Sequence, residues 1–458
     1  MNNAVIKYFE AQKGKRIAFC GLGRSNLPLI DMYKKYGAEV IACDKRSFEE
    51  LGDIALNLSN NGVELSLGKD YLNNLNADIL FRTPGMNYNM PELKALREQG
   101  VTITSEMEVF FELCPCKIIA VTGSDGKTTT TTIISEFLKA DNKKVHLGGN
   151  IGKPLLPEIF EISSDDFAVV ELSSFQLISM KKSPDIAVVT NITPNHLDVH
   201  KDMQEYIDAK RNIVKYQNKN NITVLNINNE ITKGFAEGLC SSVRYFNKNV
   251  ETTTSVYRNA DSIYIDNEKV LDVKNIAIPG EHNIENYMAA IGAVWGIVSA
   301  ATIQNVARTF GGVAHRAELV RELDGVKYYN DSIASSPTRT IKGMLSLFEQ
   351  KIILICGGYD KNIPYDPLGP VVNEKVKVLI LVGATGPKIE KATVEAQNFD
   401  KDSLKILKAK SLEEAVSLAK EFAVKGDIVA LSPASASFDM FRDFEHRGNY
   451  FKELVNAL

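Results

Sequence analysis

The sequence predicts an α/β protein in three consecutive blocks, residues 1–104, 105–312 and 313–458, and two observations carry that prediction. Apolar runs of strand length end in glycine-rich or polar turns and lead into helical stretches, the alternation that builds parallel sheets. The pattern then restarts twice, and 458 residues exceed what one ordinary core organises, a domain taking about 150.

The first block opens on the apolar run Arg16-Ile-Ala-Phe-Cys20 and a glycine turn, the second on Lys117-Ile-Ile-Ala-Val121 and another glycine turn. The third carries strands near 326–329, 352–356, 378–382 and 428–431. Between residues 222 and 273 the runs shorten and alternate, as in Ser262-Ile-Tyr-Ile-Asp266, which predicts an antiparallel excursion inside the second block. The most apolar long stretch, 289–303, falls short of the ~20 residues that span a bilayer and reads as a buried helix.

Composition narrows the function classes. A net charge of −4 argues against a surface built for nucleic-acid phosphates, while leaving room for a local basic pocket. The six cysteines, at 20, 43, 114, 116, 240 and 356, form no CxxC pair and have no histidine beside Cys114 or Cys116. Zinc and a disulfide frame are therefore not expected, and a reducing cytoplasm is. Residues 1–10 lack the charged-then-apolar order of a signal peptide, so a cytoplasmic protein without membrane insertion is expected.

Two glycine loops carry the chemistry. Thr122-Gly-Ser-Asp-Gly-Lys-Thr128 follows an apolar strand and precedes a helical run, so backbone N–H groups and a helix start can face an anion. Lys127 can reach terminal phosphates and Thr128 can offer a hydroxyl to Mg²⁺. The strict phosphate-loop pattern fails at Val121, where its first glycine would stand, yet the context predicts a P-loop-type ATP site. The other loop, Gly21-Leu-Gly23-Arg24-Ser25-Asn26, lacks the third glycine of a dinucleotide fingerprint, and Asp44 ends the next strand where a Rossmann acid would stand. That makes the first block Rossmann-like and suits a diphosphate-containing nucleotide, NAD and a UDP-sugar alike.

In the centre, Glu171 ends a strand and is a natural Mg²⁺ partner, or a cap for the turn that follows. His196, Asp198 and His200 crowd five positions, a metal loop or a solvated one, with His200 the weaker of the two histidines. Asn283 and Asn286 fall on one helical face and suit adenine's edges. Arg316 offers a fixed cation for phosphate.

The motifs together resemble the Mur ligase family over the whole chain: GLGRS at Gly21, TGSDGKTT around Gly123, GGNIG around Asn150, ELSSFQL from Glu171, TPNHLD around His196, GEHNIEN around His282, AHR ending at Arg316, and SPASASFDMFRDFEHRG from Ser432. The first and last of these resemble the D-glutamate-adding branch. The resemblance implies three domains: a Rossmann-like one for a UDP-linked substrate, a P-loop-type ATPase, and a Rossmann-like one for the amino acid. It implies an ATP-dependent amide ligase that adds D-glutamate to UDP-N-acetylmuramoyl-L-alanine through an acyl phosphate, in peptidoglycan precursor synthesis. Small molecules would be its only partners, and a monomer is expected.

Residue by residue, the resemblance implies ATP contacts from Gly123, Ser124, Asp125, Gly126, Lys127, Thr128 and Thr129, and from Asn283, Asn286, Arg316 and Asp331. Two Mg²⁺ ions would be served by Thr128, Glu171, His196 and a carbamylated Lys210. Lys127, Lys210 and His196 would be the catalytic group, the histidine a ligand rather than a base. Gly23, Arg24, Ser25, Asp44, Lys45 and Arg46 would hold the UDP moiety, and Asn150 and Ser173 the muramoyl part. Lys361, Ser437 and Phe444 would grip D-glutamate. One departure is visible: relatives often read D-S-K-A-T where this chain has Asp331-Ser-Ile333-Ala-Ser335, so a usual lysine is absent. Another amide ligase of the superfamily, folylpolyglutamate synthase-like or a different muramyl ligase, is the alternative. No D-N-P-R segment of the diamino-acid-adding members is present, and a dehydrogenase would leave the ATP loop unexplained.

Overall fold

The computed structural model describes residues 3–197, 199–247 and 255–458; Asp198, part of the suspected metal loop, lies outside them. The chain divides into two compact units, Met1–Ile276 with Glu281–Arg308, and Ala277–Gly280 with Thr309–Leu458.

The first unit holds two sheets. Strands β1 (Arg16–Cys20), β2 (Glu39–Asp44), β3 (Glu64–Leu67), β4 (Ile79–Arg82) and β5 (Thr102–Thr104) form a parallel sheet in the order β3-β2-β1-β4-β5. Its strands obey the period of two. Ile17, Phe19, Val40 and Ala42 pack on one face, while Ala18, Cys20, Ile41 and Cys43 pack on the other. Both faces are covered, which is why these strands read as continuous apolar runs.

The second sheet comprises β6 (Lys117–Thr122), β7 (Val145–Gly149), β8 (Phe167–Glu171), β9 (Ile186–Val189), β10 (Ile222–Asn226), β11 (Ser242–Asn247), β12 (Val256–Asn259), β13 (Ser262–Ile265) and β14 (Glu268–Asp272). Their order is β14-β13-β12-β11-β10-β9-β6-β8-β7. The antiparallel excursion is narrower than 222–273: β10, β11 and β12 pair parallel in turn, and among the described residues of this stretch the antiparallel pairings are β12–β13 and β13–β14. One apolar cluster runs from Phe19 and Phe81 through Phe110 and Phe111 of the helix Glu106–Leu113 to Ala120 and Val170, so the two sheets share a core and form one unit. The stretch 289–303 is two helices rather than one. The helix Glu281–Val294 stops before Gly296, which has φ +86°, and a second helix spans Ala300–Thr309.

The second unit is built on β15 (Glu318–Leu323), β16 (Val326–Asn330), β17 (Ile352–Cys356), β18 (Val376–Leu381), β19 (Lys405–Lys408) and β20 (Ile428–Leu431). They lie in the order β15-β16-β20-β17-β18-β19, with β15 antiparallel and the rest parallel. Leu354, Leu379 and Ala430 face one apolar cluster; Ile353, Ile355, Ile380, Val429 and Leu431 face the other. Among the described residues, no helix is long and apolar enough to cross a membrane.

Candidate active site

The carboxyl ends of three neighbouring strands build the centre of the first unit. β6 lies between β8 and β9, so the loop after β6 has Glu171 on one side, at the end of β8, and Asn191, just past β9, on the other. Residues 123–126 turn into the helix Lys127–Ala140 through Gly126, whose φ of +79° suits only glycine comfortably. A Cβ there would also sit 2.4 Å from Asn286 Oδ1. The loop is braced from β9: Asp125 N donates to Asn191 Oδ1 at 2.9 Å, and Ser124 N to the Asn191 carbonyl at 2.8 Å.

Around this loop several expected residues meet. Lys127 Nζ folds back to the carbonyls of Gly123 and Ser124, at 3.0 and 2.9 Å. Thr128 Oγ1 donates to Glu171 Oε2 at 2.7 Å, and Asn150 Nδ2 to Glu171 Oε1 at 2.7 Å. Asn286 Oδ1 accepts from Thr130 Oγ1 and its amide donates to Asn283 Oδ1, which brings both asparagines to the loop's helix. Thr129 lies in that helix's first turn. Lys210, on the helix Met203–Lys215, is 2 % exposed and donates to Thr122 Oγ1 at 3.2 Å and to the Gly123 carbonyl at 2.8 Å. Burial, then the Lys127 charge, pushes its basicity well below that of an ordinary lysine.

The two histidines part company. His200 is buried, stacks on Phe175, and bonds Ser174 Oγ at 2.9 Å and Glu205 Oε2 at 3.1 Å. His196 is exposed at φ +55°, with its ring edge-on to Phe175. Among the described residues no group of three or more His, Cys, Asp or Glu gathers as a metal cage. The Thr128 hydroxyl and Glu171 carboxylate nevertheless fit Mg²⁺, which takes one or two protein oxygens and completes its shell with phosphates and water.

At the first sheet, Asp44 is absorbed by its own surroundings. It accepts from Leu22 N, from Arg46 N and, on both oxygens, from the Arg46 guanidinium. Burial pushes its pKa up, but these bonds prevail and hold it down at about 2. Arg46 also reaches the Leu22 carbonyl, so Asp44 and Arg46 together fix the glycine turn. Lys45 stands exposed between them.

A cavity of about 210 Å³ is lined by Arg24, Ser25, Arg82, Glu106, Asn150 and Gln176, among others. Gly23 belongs to the turn that bears Arg24, and Ser173 forms a reciprocal capping box with Gln176. A larger groove of about 880 Å³ lies on the outer side of the helix Met203–Lys215, and none of its lining residues belongs to the loop after β6. No local pattern in the sequence singles out Arg82, Glu106 or Gln176, which meet at this cavity through the packing of separate segments. Glu106 Oε1 accepts from Leu155 N and Leu156 N, both at 2.8 Å, and so pins the segment after Asn150. Burial outweighs those bonds and raises its carboxyl from 4.5 to about 7. A raised carboxyl keeps its proton in the folded state, so its contribution to stability falls as pH rises from about 4.5 to about 7. Glu106→Gln keeps the acceptor and removes the titration. We expect it to flatten the pH dependence of Tm across that window, read by thermal unfolding at pH 5 and pH 8; an unchanged slope would contradict the assignment.

In the second unit the loops at the carboxyl ends of β16, β17 and β20 gather. Asp331 accepts from Ser432 Oγ at 2.7 Å and Ala317 N at 3.2 Å, and burial raises it to about 6 against those bonds. Arg316 is exposed near it and opposes that rise. Arg447 is buried and ties Ser332, Ser435 and Ala436 together. Lys361 Nζ lies 3.4 Å from Ser335 Oγ. Ser437 is buried, and Phe444 opens the last helix with its ring against His315. Ile333 is half-buried.

Comparison with known proteins finds relatives of the whole chain. The Mur ligase middle domain model matches residues 121–294, and the Mur ligase, glutamate ligase domain model matches 315–435. The chain is 53% identical to the UDP-N-acetylmuramoylalanine--D-glutamate ligase of Acetivibrio thermocellus and 50% identical to that of Ruminiclostridium cellulolyticum, each over 100% of both chains. The solved UDP-N-acetylmuramate-alanine ligase of Thermotoga maritima shares the fold, with a TM-score of 0.57 and 17% identity over 97% of this chain and 99% of that one.

Proposed function

The chain belongs to the Mur ligase family, and from that premise we propose that it joins D-glutamate to UDP-N-acetylmuramoyl-L-alanine with ATP, through an acyl phosphate. The full-length likeness to D-glutamate-adding relatives carries this reading, and the geometry supplies its chemistry. We further read the first sheet, with residues 1–104, as the UDP-substrate domain, residues 105–312 as the ATPase and 313–458 as the D-glutamate domain.

We read residues 123–129 as the cradle of the ATP phosphates, with Lys127 to reach the terminal one, and Asn283, Asn286, Arg316 and Asp331 as further nucleotide contacts. The alanyl carboxylate attacks the γ-phosphorus and ADP leaves. The D-glutamate amine then adds to the acyl carbon, loses a proton, and expels phosphate from the tetrahedral intermediate. Catalysis is positioning and charge neutralisation. Thr128 and Glu171 would hold one Mg²⁺, and His196 and a carbamylated Lys210 would serve a second, supplying positive charge to the transferring phosphoryl group. Asn150, bonded to Glu171, and Ser173 hold the muramoyl part, with residues 23–25 and 44–46 on the UDP. The enzyme acts as a cytoplasmic monomer. ADP release measured with each substrate omitted in turn tests the reading: sustained turnover should require both D-glutamate and the UDP substrate, and multiple-turnover release with either alone would overturn it.

D-glutamate carries two carboxylates, and leaving one unpaired in a closed site costs ~1–3 kcal/mol or more. With isoleucine at 333, we assign most of that recognition to Lys361, beside Ser335, helped by Ser437 and the Phe444 segment. Lys361→Ala is expected to raise the KM for D-glutamate by about tenfold or more, leaving ATP and the UDP substrate unaffected. Ile333→Lys in that background should restore part of the loss. Steady-state kinetics on both single variants and the double variant decide this; an unchanged D-glutamate KM in Lys361→Ala would refute the assignment.

A further inference from the structure

We infer that Arg82 is a second cation of the UDP-substrate cleft, stationed to bind the diphosphate of that substrate; the inference rests on the proposed UDP site. The strand order gives the place. The chain steps from β1 to β2 and β3 on one side, then returns to β4 and β5 on the other, so the order reverses between β1 and β4. In open α/β sheets, ligands settle in the crevice at the carboxyl ends of the strands flanking such a reversal. The glycine turn follows β1, and Arg82 is the last residue of β4. The two ends are in contact: Thr83 N donates to the Cys20 carbonyl at 3.3 Å, and a Cβ on Gly21 would lie 2.7 Å from Thr83 Cγ2.

The side chain itself lacks charge balance. Arg82 is 1 % exposed, and its Nη2 donates to the Phe175 carbonyl and to Ser179 Oγ, both at 2.8 Å. Nη1 reaches only the Met86 carbonyl, at 3.4 Å, and Nε is buried without an acceptor among the described residues. Every one of these partners is neutral. The guanidinium carbon also lies 5.4 Å from the centre of the Tyr88 ring, a further neutral partner; among the described residues no ion pair includes Arg82, and burial lowers its basicity, opposed chiefly by Glu108. A buried cation with only neutral partners is costly unless an anion arrives. Arg82 lines the same cavity as Arg24 and Ser25 of the glycine turn, and a UDP-linked substrate brings a diphosphate there.

The competing reading is a purely structural tie between β4 and the segment 175–179. Calorimetric titration of UDP and of UDP-N-acetylmuramoyl-L-alanine into wild type, Arg82→Met, Arg82→Lys and Ser179→Ala separates the two. Arg82→Met is expected to weaken both ligands at least about tenfold and to flatten the salt dependence of UDP binding. Arg82→Lys should recover part of the affinity, since it keeps the charge and loses the fork. Ser179→Ala removes a structural contact and no charge, so it should bind UDP like wild type. ATP affinity should be unchanged throughout. Unchanged UDP affinity in Arg82→Met would overturn the inference, as would an equal loss in Ser179→Ala. A loss seen with the full substrate and not with UDP would also overturn it, assigning Arg82 to the substrate's carboxylate. If Arg82→Met does not fold, UDP affinity and salt slope in Arg82→Lys decide between the same outcomes. Failure of the wild type to bind UDP would sink the UDP-site reading instead.

Discussion

Lys127→Ala is expected to lower kcat by about 10²–10³, the ~3–4 kcal/mol that one preorganised stabiliser of transferring charge contributes, while calorimetric affinity for the UDP substrate stays at the wild-type value. Lys127 is the first residue of the helix that follows the glycine loop, and its ammonium is held over that loop by the Gly123 and Ser124 carbonyls. Those two bonds keep the ammonium beside the loop, where a phosphate bound by the backbone would meet it. The UDP cleft is lined by other residues, Arg24, Ser25 and Asn150 among them, which is why binding there should survive. Ligation within threefold of wild type would remove the phosphate-loop assignment.

Lys210→Ala should fall below about 1 % of wild-type activity, a loss on the scale of a missing electrostatic stabiliser, and formate or acetate should restore part of it. An ammonium cannot capture CO₂; a free amine can, forming an N–C bond and releasing a proton. Burial and the nearby Lys127 charge both favour the free amine at position 210, and the side chain already points at Thr122 and the Gly123 carbonyl beneath the loop. Carbamylation would convert a cation into an oxygen donor for a hard metal ion. Carbon-13 NMR of wild type in labelled bicarbonate should show a carbamate resonance that is absent from the alanine variant. Full activity of Lys210→Ala, or rescue by an added amine, would make Lys210 an ordinary buried lysine.

Buried parallel strands were readable because both their faces are covered, so β1, β6, β8, β17 and β20 appear as unbroken apolar runs ending at loops. Edge strands were not. β15 and β19 carry glutamate, arginine and lysine on half-solvated backbone, and neither gives a clean run. Residues 289–303 read as one helix because apolar content continues across Gly296, where the backbone does not. At the site, Lys127, Thr128 and Glu171 sit at loop and strand ends and were legible from local pattern. Lys210 was not: its helix is amphipathic, and only tertiary packing shows that this lysine faces the core. The family resemblance supplied it. Arg82 and Glu106 act through partners 93 and 49 residues away, respectively, a relation no local pattern encodes.

The central claim is that ATP activates the alanyl carboxylate for attack by D-glutamate, and oxygen tracing tests it directly. When the UDP substrate carries ¹⁸O in that carboxylate, one labelled oxygen should depart with the phosphate as the amide forms. Mass spectrometry of the released phosphate should therefore find a single ¹⁸O per turnover, with ADP and the D-glutamyl product in equal amounts. Unlabelled phosphate accompanying the amide product would contradict the account.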